Sequence, residues 1–548
     1  MAAIDLYSGI GGWTLGLKMA GIEVLSSYEW WKDANNTHNK NFNSAHQEVN
    51  IRTLELAMLP DPELVNYVVG SPPCTQFSLA NRGGKGDIND GLVDIRKFLE
   101  VVEHMQPIYW AMENVPRVAG ILEKELAPEG SLHQFAHLFG DIKVYNSSDF
   151  GVPQDRKRMI AGRLPFHLLD AYKNRTPRVT LGDVLRSLST IPYTDPVYGF
   201  TLEEERMTDH LLEANLTAEE QRINRDAKTY HPVYNRMSFP DRQDRPSRTV
   251  TALCTRVSRE SIIIEDAQQN IRRLTIRERG CLQSFPINYQ YFSNTYAGKI
   301  KMIGNAIPPA LTFYIAQAMQ ETPIGEVLLT NSEQVRERLV LGTEQAITTV
   351  PENAGAHYPW SRSFCLAIPG LRFGSGVRFE LKNYHNRETR TTSWRVNFFY
   401  GTSKAIKAKQ LDLELFERAY ELIEELAVEG LPASLTRFQT FIQGVNENEV
   451  QLNWSNVNRD LMGPIFLTDE LSRYANEFRT LLESELKDTD LIASFIEREL
   501  KNDKGKMDNK RILDNHLDMF VGILIGTIFN SVLQERVVHI ALPDPQLV

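Results

Sequence analysis

Apolar residues in the first third of the chain come in short runs that end in polar or glycine-rich turns. Ala2 to Tyr7 is such a run, and it opens onto Ser8-Gly9-Ile10-Gly11-Gly12. Thr14 to Ala20 follows with helical spacing. Glu23 to Tyr28 forms a second run ending at Glu29, and Tyr67 to Val69 a third leading into Ser71-Pro72-Pro73-Cys74. Leu92 to His104 reads as a helix, and Ile108 to Met112 as a strand that stops at Glu113-Asn114. Strand, turn and helix in repetition predict an α/β fold built on a parallel, doubly wound sheet. Ligands of such sheets bind at the carboxyl ends of the strands, where these polar residues fall.

From about residue 165 to residue 270 the pattern loosens, and only Ser247 to Leu253 and Ser261 to Glu265 keep strong periodicity. Regularity returns in helix-like stretches at Leu274 to Leu282 and Pro309 to Met319. After about Thr322 the character changes again. Trp394 to Tyr400 predicts a strand, Leu411 to Val428 an amphipathic helix, and Leu471 to Leu500 and Ile512 to Glu535 further helices.

Length and charge refine this picture. A chain of 548 residues calls for several domains. The net charge of −10 argues against a nucleic-acid partner only if charge is evenly spread. It is not. Arg225, Lys228, Arg236, Arg242, Arg245, Arg248, Arg256, Arg259, Arg272, Arg273 and Arg277 crowd one segment. Alone, that segment reads as a solvated charged face. The four cysteines, Cys74, Cys254, Cys281 and Cys365, form no CxxC pair, so neither a metal site nor a disulfide framework is expected. A reducing, cytoplasmic setting is expected, since no basic head and apolar run opens the chain. The apolar stretch Phe520 to Phe529 is too short to span a bilayer and is interrupted by Gly522 and Gly526.

Four strand ends carry candidate chemistry. Glycines after the first strand let a nucleotide-like ligand come close to the backbone. Glu29, ending the next strand, has the chemistry to bind two ribose hydroxyls. No phosphate-binding lysine follows, which suits a nucleoside better than a dinucleotide. Cys74 sits behind two prolines among polar neighbours, unlike a core cysteine. Glu113 is a carboxylate beside the same crevice. In Gln154-Asp155-Arg156-Lys157-Arg158 the two arginines face one side of an extended segment.

In this order the motifs resemble those of the cytosine-5 DNA methyltransferases. DLYSGIGG resembles the family's cofactor motif, GSPPCTQFS its nucleophile loop, MENV its glutamate motif and PQDRKR its Gln-x-Arg-x-Arg motif. RRLTIRERGCLQSFP resembles the motif that organises the recognition domain, and KMIGNAIPPAL the last motif, whose helix returns to the cofactor domain. The resemblance covers roughly Ala2 to Thr322. It implies a Rossmann-like S-adenosylmethionine-dependent methyltransferase fold, with S-adenosyl-L-methionine as cofactor and no metal. It implies a cofactor and catalytic domain at 1–163, a target-recognition domain at 164–270 and closing motifs at 271–322. A mixed α+β accessory domain would then occupy 323–548.

The resemblance also implies roles. Cys74 attacks cytosine as a covalent nucleophile, Glu113 and Arg158 stabilise the attacked ring, and Arg156 holds the nucleophile loop and the glutamate. Tyr7, Gly9, Gly11, Gly12, Glu29, Trp30, Asn50, Ile51, Pro73 and Asn305 bind the cofactor. The chain departs from the family's pattern at three places. Tyr7 stands where Phe is common, Asn50-Ile51 where Asp-Ile is usual, and Thr75-Gln76 where Gln directly follows the cysteine. Recognition of a specific duplex DNA sequence falls to the arginine-rich segment, through phosphates and guanine edges, with the target base flipped out of the helix. The implied setting is bacterial restriction-modification or defence, by a chain monomeric on DNA, with no membrane. An RNA-directed methyltransferase and a catalytically dead DNA reader are the rival readings.

The last third lies outside the resemblance. Glu380-Leu381-Lys382 has the form of half a nuclease site, but no Asp precedes it between Gly355 and Phe379. An alternating surface strand is the expected reading. Arg387, Arg390, Arg395, Lys404, Lys407 and Lys409 suggest an accessory module that binds DNA or a defence-system protein partner.

Overall fold

The fold is described from a computed structural model, over residues 1–74, 76–77, 87–229, 237–351, 360–373, 377–386, 388–402, 405–456, 462–486, 489–501 and 510–535. Thr75, Arg236, Arg387 and Lys404, singled out above, lie outside these residues. Contacts divide the chain into two compact units, one of residues 1–225 and 238–354, the other of 226–237 and 355–548.

The first unit is built on a six-stranded sheet. Its strands are β1 (Ala2–Leu6), β2 (Glu23–Tyr28), β3 (Tyr67–Gly70), β4 (Tyr109–Asn114), β5 (Asp141–Asn146) and β6 (Lys157–Arg163), in the order β2-β1-β3-β4-β6-β5. The first four pair in parallel. The parallel pattern read from the first four strands does not extend to β6, which runs antiparallel to both β4 and β5. The short link from β5 through Ser147–Phe150 turns the chain straight back, and only antiparallel neighbours can be joined so briefly.

Alternate strand residues feed two cores. Ala3, Tyr67, Val69, Ala111 and Ile160 join one apolar cluster. Ile4, Leu6, Val68, Trp110, Met112, Met159 and Ala161 join the other. Burial on both faces explains why these strands read as continuous apolar runs. Helix α1 (Gly12–Ala20) covers the first face together with the helix Pro309–Met319. The two helices approach so closely that a Cβ at Gly16 would stand 2.1 Å from Thr312 Oγ1. Thr312 Oγ1 also donates to the Gly12 carbonyl at 2.8 Å, so the late helix returns to the first one. A longer helix, Ile88–Met105, covers the other face, capped by Asp87, whose carboxylate accepts from Asn89 N.

The remainder of the unit packs on the same sheet and helices. Leu169, Leu181, Val184, Tyr198, Val250 and Ile264, from the stretch expected to form the recognition domain, share the first core. Val335, Leu339 and Leu341, beyond residue 323, bury into the same core, and the first unit runs to residue 354. Ser247 to Leu253 makes only one isolated bridge, Gln154 to Ser247, and is not a strand. Ser261 to Glu265 does supply one, Ile263–Glu265, paired with Ile271–Arg273.

The second unit has a four-stranded antiparallel sheet in chain order, Cys365–Phe373, Val377–Asn386, Thr391–Thr402 and Ala405–Lys409. Helices follow at Leu413–Leu426, Leu431–Gln443, Glu447–Asn456, Pro464–Glu485, Asp490–Leu500 and His516–Glu535. The expected helix from Leu471 to Leu500 is thus two. The span Ile512–Gln534, at 23 residues, is long and apolar enough to cross a membrane, contrary to the expectation from Phe520 to Phe529, yet 78% of its apolar window is buried in the protein. It is a core helix. Its two glycines are contact points rather than interruptions. A Cβ at Gly522 would lie 2.3 Å from the Phe379 ring, and one at Gly526 2.3 Å from Leu411 Cδ1.

Candidate active site

Three strand ends hold the Cys74 loop. Ser71 N donates to Leu6 O at the end of β1, 3.2 Å. Trp13 Nε1, from the first turn of α1, donates to Ser71 Oγ at 3.1 Å. Asn114, the last residue of β4, donates through Nδ2 to the Pro72 carbonyl at 3.0 Å. Pro72 and Pro73 remove backbone freedom between these anchors, so the thiol's position is set by the sheet.

Glu113 and Arg158 meet over β4 and β6. Arg158 Nε lies 2.8 Å from Glu113 Oε1, with both side chains nearly buried. The Cys74 thiol is close enough to feel both. Burial pushes its pKa up and Glu113 adds to that, while Arg158 and Arg156 pull it back down. The thiol is half-buried and its pKa stays raised overall, so the two guanidiniums offset only part of the cost of forming a thiolate there.

Arg156 lies close enough to Glu113 and Cys74 to interact with both charges. It is buried, and its hydrogen bonds go neither to the nucleophile loop nor to Glu113. Nη1 donates to Val250 O at 3.0 Å, and Nη2 to Gly304 O and Ala306 O at 2.9 and 3.0 Å. Gln154 completes the grip by accepting from Val250 N at 2.7 Å. Both polar groups of Val250 are therefore claimed by side chains, which is why the alternating stretch around it forms no ladder. Gly304 is needed here, because a Cβ would stand 2.2 Å from Ala252 N.

The glycine-rich turn faces β2. Gly9 N donates to Glu29 Oε2 at 2.9 Å, and Trp31 N donates to Glu29 Oε1 at 2.7 Å. Burial raises the Glu29 pKa and these amides oppose it. Gly9 has φ +55° and open space where a Cβ would be. Gly11 and Gly12 are different. Their missing side chains are used by the protein, since a Cβ would meet Phe42 at 2.4 Å or the Ile307 carbonyl at 2.2 Å. Trp30 is 65% exposed beside this turn, and Asn50 and Asn305 are exposed while Ile51 is buried. The Asn50 side chain caps a turn by accepting from Arg52 N at 3.1 Å.

Comparison with known proteins gives the family. The model of the C-5 cytosine-specific DNA methylases matches residues 1–321. The chain belongs to the C-5 cytosine-specific DNA methylases. Relatives include the type II methyltransferase M1.HphI of Haemophilus parahaemolyticus, 29% identical over 58% of this chain and 86% of the relative. M.HgiDI of Herpetosiphon aurantiacus is 29% identical over 58% and 94% respectively, and M.HindV of Haemophilus influenzae 29% over 58% and 96%. The family model spans about the first three-fifths of the methylase, as the motifs do, and each of these relatives matches about as large a share of it.

Two features of the methylase escaped the sequence reading. The first is a polar network behind the nucleophile loop. Tyr7 OH donates to Asp94 O at 3.1 Å. Asp94 accepts from Arg52 Nε and Nη2 at 2.9 and 2.7 Å, and Arg52 Nη1 reaches Asp90 at 2.8 Å. Asp90 in turn accepts from Gln76 Nε2 at 2.9 Å. Two of the chain's departures from the family, Tyr7 and Gln76, are thus the two ends of one network. The second feature is the fate of the arginine-rich segment. Arg256, Arg273, Arg277 and Arg279 are among the largest fully buried side chains of the methylase. Arg256 pairs with Glu220 through Nε and Nη2 at 2.8 and 2.9 Å, Arg273 with Glu213 at 2.5 Å, and Arg272 with Glu278 at 2.9 Å. These arginines cannot read DNA. Arg242 and Arg245 are exposed.

Proposed function

We propose that this methylase modifies carbon 5 of a cytosine flipped out of duplex DNA, with Cys74 as covalent nucleophile and S-adenosyl-L-methionine as methyl donor. The observation that carries the reading is the convergence of Cys74, Glu113 and Arg158 from three strand ends. Its relatives' names support a type II restriction-modification setting.

The chemistry follows from those groups. Carbon 5 of cytosine is a poor nucleophile. Attack of the Cys74 thiolate on carbon 6 forms an S–C bond and pushes the ring electrons toward N3 and the carbonyl oxygen. Glu113, carrying a proton when the base is in place, hydrogen-bonds N3. Arg158 hydrogen-bonds the carbonyl oxygen, and both stabilise the charge that develops there. Carbon 5 becomes electron-rich. Loss of its proton after methylation lets Cys74 leave and restores the ring. Pairing between Glu113 and Arg158 keeps both aimed before the base arrives, and Arg156 fixes the strand that carries Arg158.

The cofactor fits the residues present. The open space at Gly9, the buried Glu29 carboxylate and the exposed Trp30 form a cradle at the ends of β1 and β2. Glu29 would accept from the ribose hydroxyls and Trp30 stack on adenine. Tyr7, Asn50, Ile51, Pro73 and Asn305 would line the site, and Gly11 and Gly12 would shape its floor by packing. When bound, S-adenosyl-L-methionine supplies an electrophilic methyl group on a sulfonium.

Cys74→Ala and Cys74→Ser should lower methyl incorporation into unmethylated DNA by about 10⁴-fold or more, while equilibrium cofactor binding persists. Duplexes carrying 5-fluorocytosine should trap the wild-type chain as a covalent adduct visible by mass. Full activity of Cys74→Ala would sink the mechanism. Incorporation into tRNA and not into duplex DNA would sink the choice of substrate.

A further inference from the structure

The second unit sorts its charge by layer. Residues 360–410, which hold the sheet, carry ten Lys and Arg against two Asp and Glu. Residues 411–535, which hold the helices, carry twelve Lys and Arg against 24 Asp and Glu. The acidic net charge of the whole chain conceals a basic sheet.

Strand alternation then assigns the sheet's two faces. Phe379, Leu381, Val396 and Phe398 are buried, and Phe379 packs against Gly522 of the core helix. The opposite face presents Arg378, Glu380, Lys382 and Tyr384. In register beside the first three stand Phe399, Asn397 and Arg395. Aromatic rings and cations interleave on it. Lys382 Nζ lies 5.2 Å and the Arg395 guanidinium 5.8 Å from the Tyr384 ring centre, and Arg378 lies 4.5 Å from that of Phe399.

The hydrogen-bonding balance of this face is one-sided. Its acid, Glu380, is taken by Arg378 at 2.7 Å. Among the described residues no carboxylate pairs with Lys382 or Arg395. Arg395 is exposed and Lys382 half-exposed, so a partner that settles here must bring acceptors and negative charge. It must also tolerate aromatic rings between the cations. A phosphodiester backbone meets all three demands.

We propose that this sheet face is a second DNA-contacting surface of the chain, taking the backbone of duplex DNA through Lys382, Arg395 and Arg378 with Tyr384 against the sugars. The proposal rests on the reading that the substrate is DNA. Such contacts carry no sequence information; they raise affinity and make it salt-dependent.

The test uses the full-length chain and a labelled random-sequence duplex of about 40 base pairs, followed by fluorescence anisotropy over a salt series. Replacing both Lys382→Gln and Arg395→Gln should weaken Kd about tenfold at low salt. It should also flatten the slope of log K against log salt by about 1.8, at about 0.9 for each phosphate no longer neutralised. Methyl incorporation at saturating DNA should not change. Tyr384→Ser, a neutral change, should weaken Kd two- to threefold with the slope intact. An unchanged slope and Kd in the double variant would overturn the proposal. So would loss, in that variant alone, of a self-association seen by sedimentation without DNA while its DNA slope stays intact. The face would then take the acidic helices of a second copy. Failure of the wild type to methylate any DNA would break the reading of the active site instead, and the salt slope would still be read independently.

Discussion

Two stretches of this chain are rich in arginine, and they use it in opposite ways. Residues 222–279 carry thirteen Lys and Arg among seven Asp and Glu, and much of that charge turns inward. Arg256, Arg272 and Arg273 each find a carboxylate, from Glu220, Glu278 and Glu213. Arg277 instead donates to the Thr208 and Tyr289 carbonyls at 3.1 and 2.6 Å. Residues 360–410 have almost no acids to pair with, and Arg395 stays exposed. Local charge density gives the amount of positive charge. Its direction depends on whether carboxylates and backbone carbonyls lie within reach, because a buried guanidinium must have its donors satisfied.

The contrast is broken most directly by removing a buried guanidinium. Arg256→Ala strands Glu220 and the Ala214 and Asn215 carbonyls that it also holds, at 3.0 and 2.7 Å. A loss of about 3–5 kcal/mol is expected, read as a large drop in Tm and in soluble yield. A variant that melts like wild type would show that the arginine layer is not structural.

Acid should find the same interior next. His38 is fully buried between Thr14 Oγ1 and Ser27 Oγ, at 3.0 and 3.1 Å. Burial first, and His46 second, push its pKa down to about 3. Its folded value lies below its unfolded value of about 6.5, so the stability it contributes is whole above pH 6.5. That contribution is lost as pH falls toward 3, with about 2 kcal/mol gone by pH 5. Glu278 acts in the same sense at lower pH. Burial raises its pKa, but Arg272 and the hydrogen bonds around it outweigh that and leave it below the usual range. Stability measured by denaturant should therefore fall between pH 6.5 and 5 in wild type and fall less in His38→Gln. Equal slopes in the two proteins would remove His38 from the account.

His38 also marks where the sequence was silent. Helix Lys32–Phe42 has no apolar stripe to betray it. It is held by polar side chains, Asn41 exchanging hydrogen bonds with Gln290 at 2.7 and 2.9 Å and Thr37 accepting from Phe292 N at 2.9 Å. Strands β1 to β4 were legible because burial on both faces makes them apolar throughout. Cys74, Glu113 and Arg158 were legible because each ends a strand or lies in a motif of fixed spacing. The Arg52 network was not, since its members are 38 and 42 residues apart and each looks like a surface charge in isolation. The hydrogen-bond partners of Arg156 were not legible for a related reason. Its partners are carbonyls of Val250, Gly304 and Ala306, and a carbonyl leaves no mark on the sequence.

Smaller effects separate the exposed arginines of the two stretches. Arg245 is exposed next to the segment that Gln154 and Arg156 grip at Val250. Arg245→Gln should weaken DNA binding roughly three- to tenfold and lower the salt slope by about 1 if the side chain meets a phosphate. A change in the methylated sequence found by bisulfite sequencing, at constant slope, would instead assign it to a base.

Least of all should happen to stability when Arg395 is cut back. Its guanidinium has no carboxylate to abandon among the described residues, and its contact with the Tyr384 ring, at 5.8 Å, is at the surface. Arg395→Ala should move the unfolding free energy by no more than about 0.5 kcal/mol, against the several lost at Arg256. The pair of measurements sharpens the contrast, because both side chains are arginines and only their surroundings differ. A drop at Arg395 as large as that at Arg256 would mean that the basic sheet, too, holds its charge for the fold. The outward face would then have lost its claim to a partner.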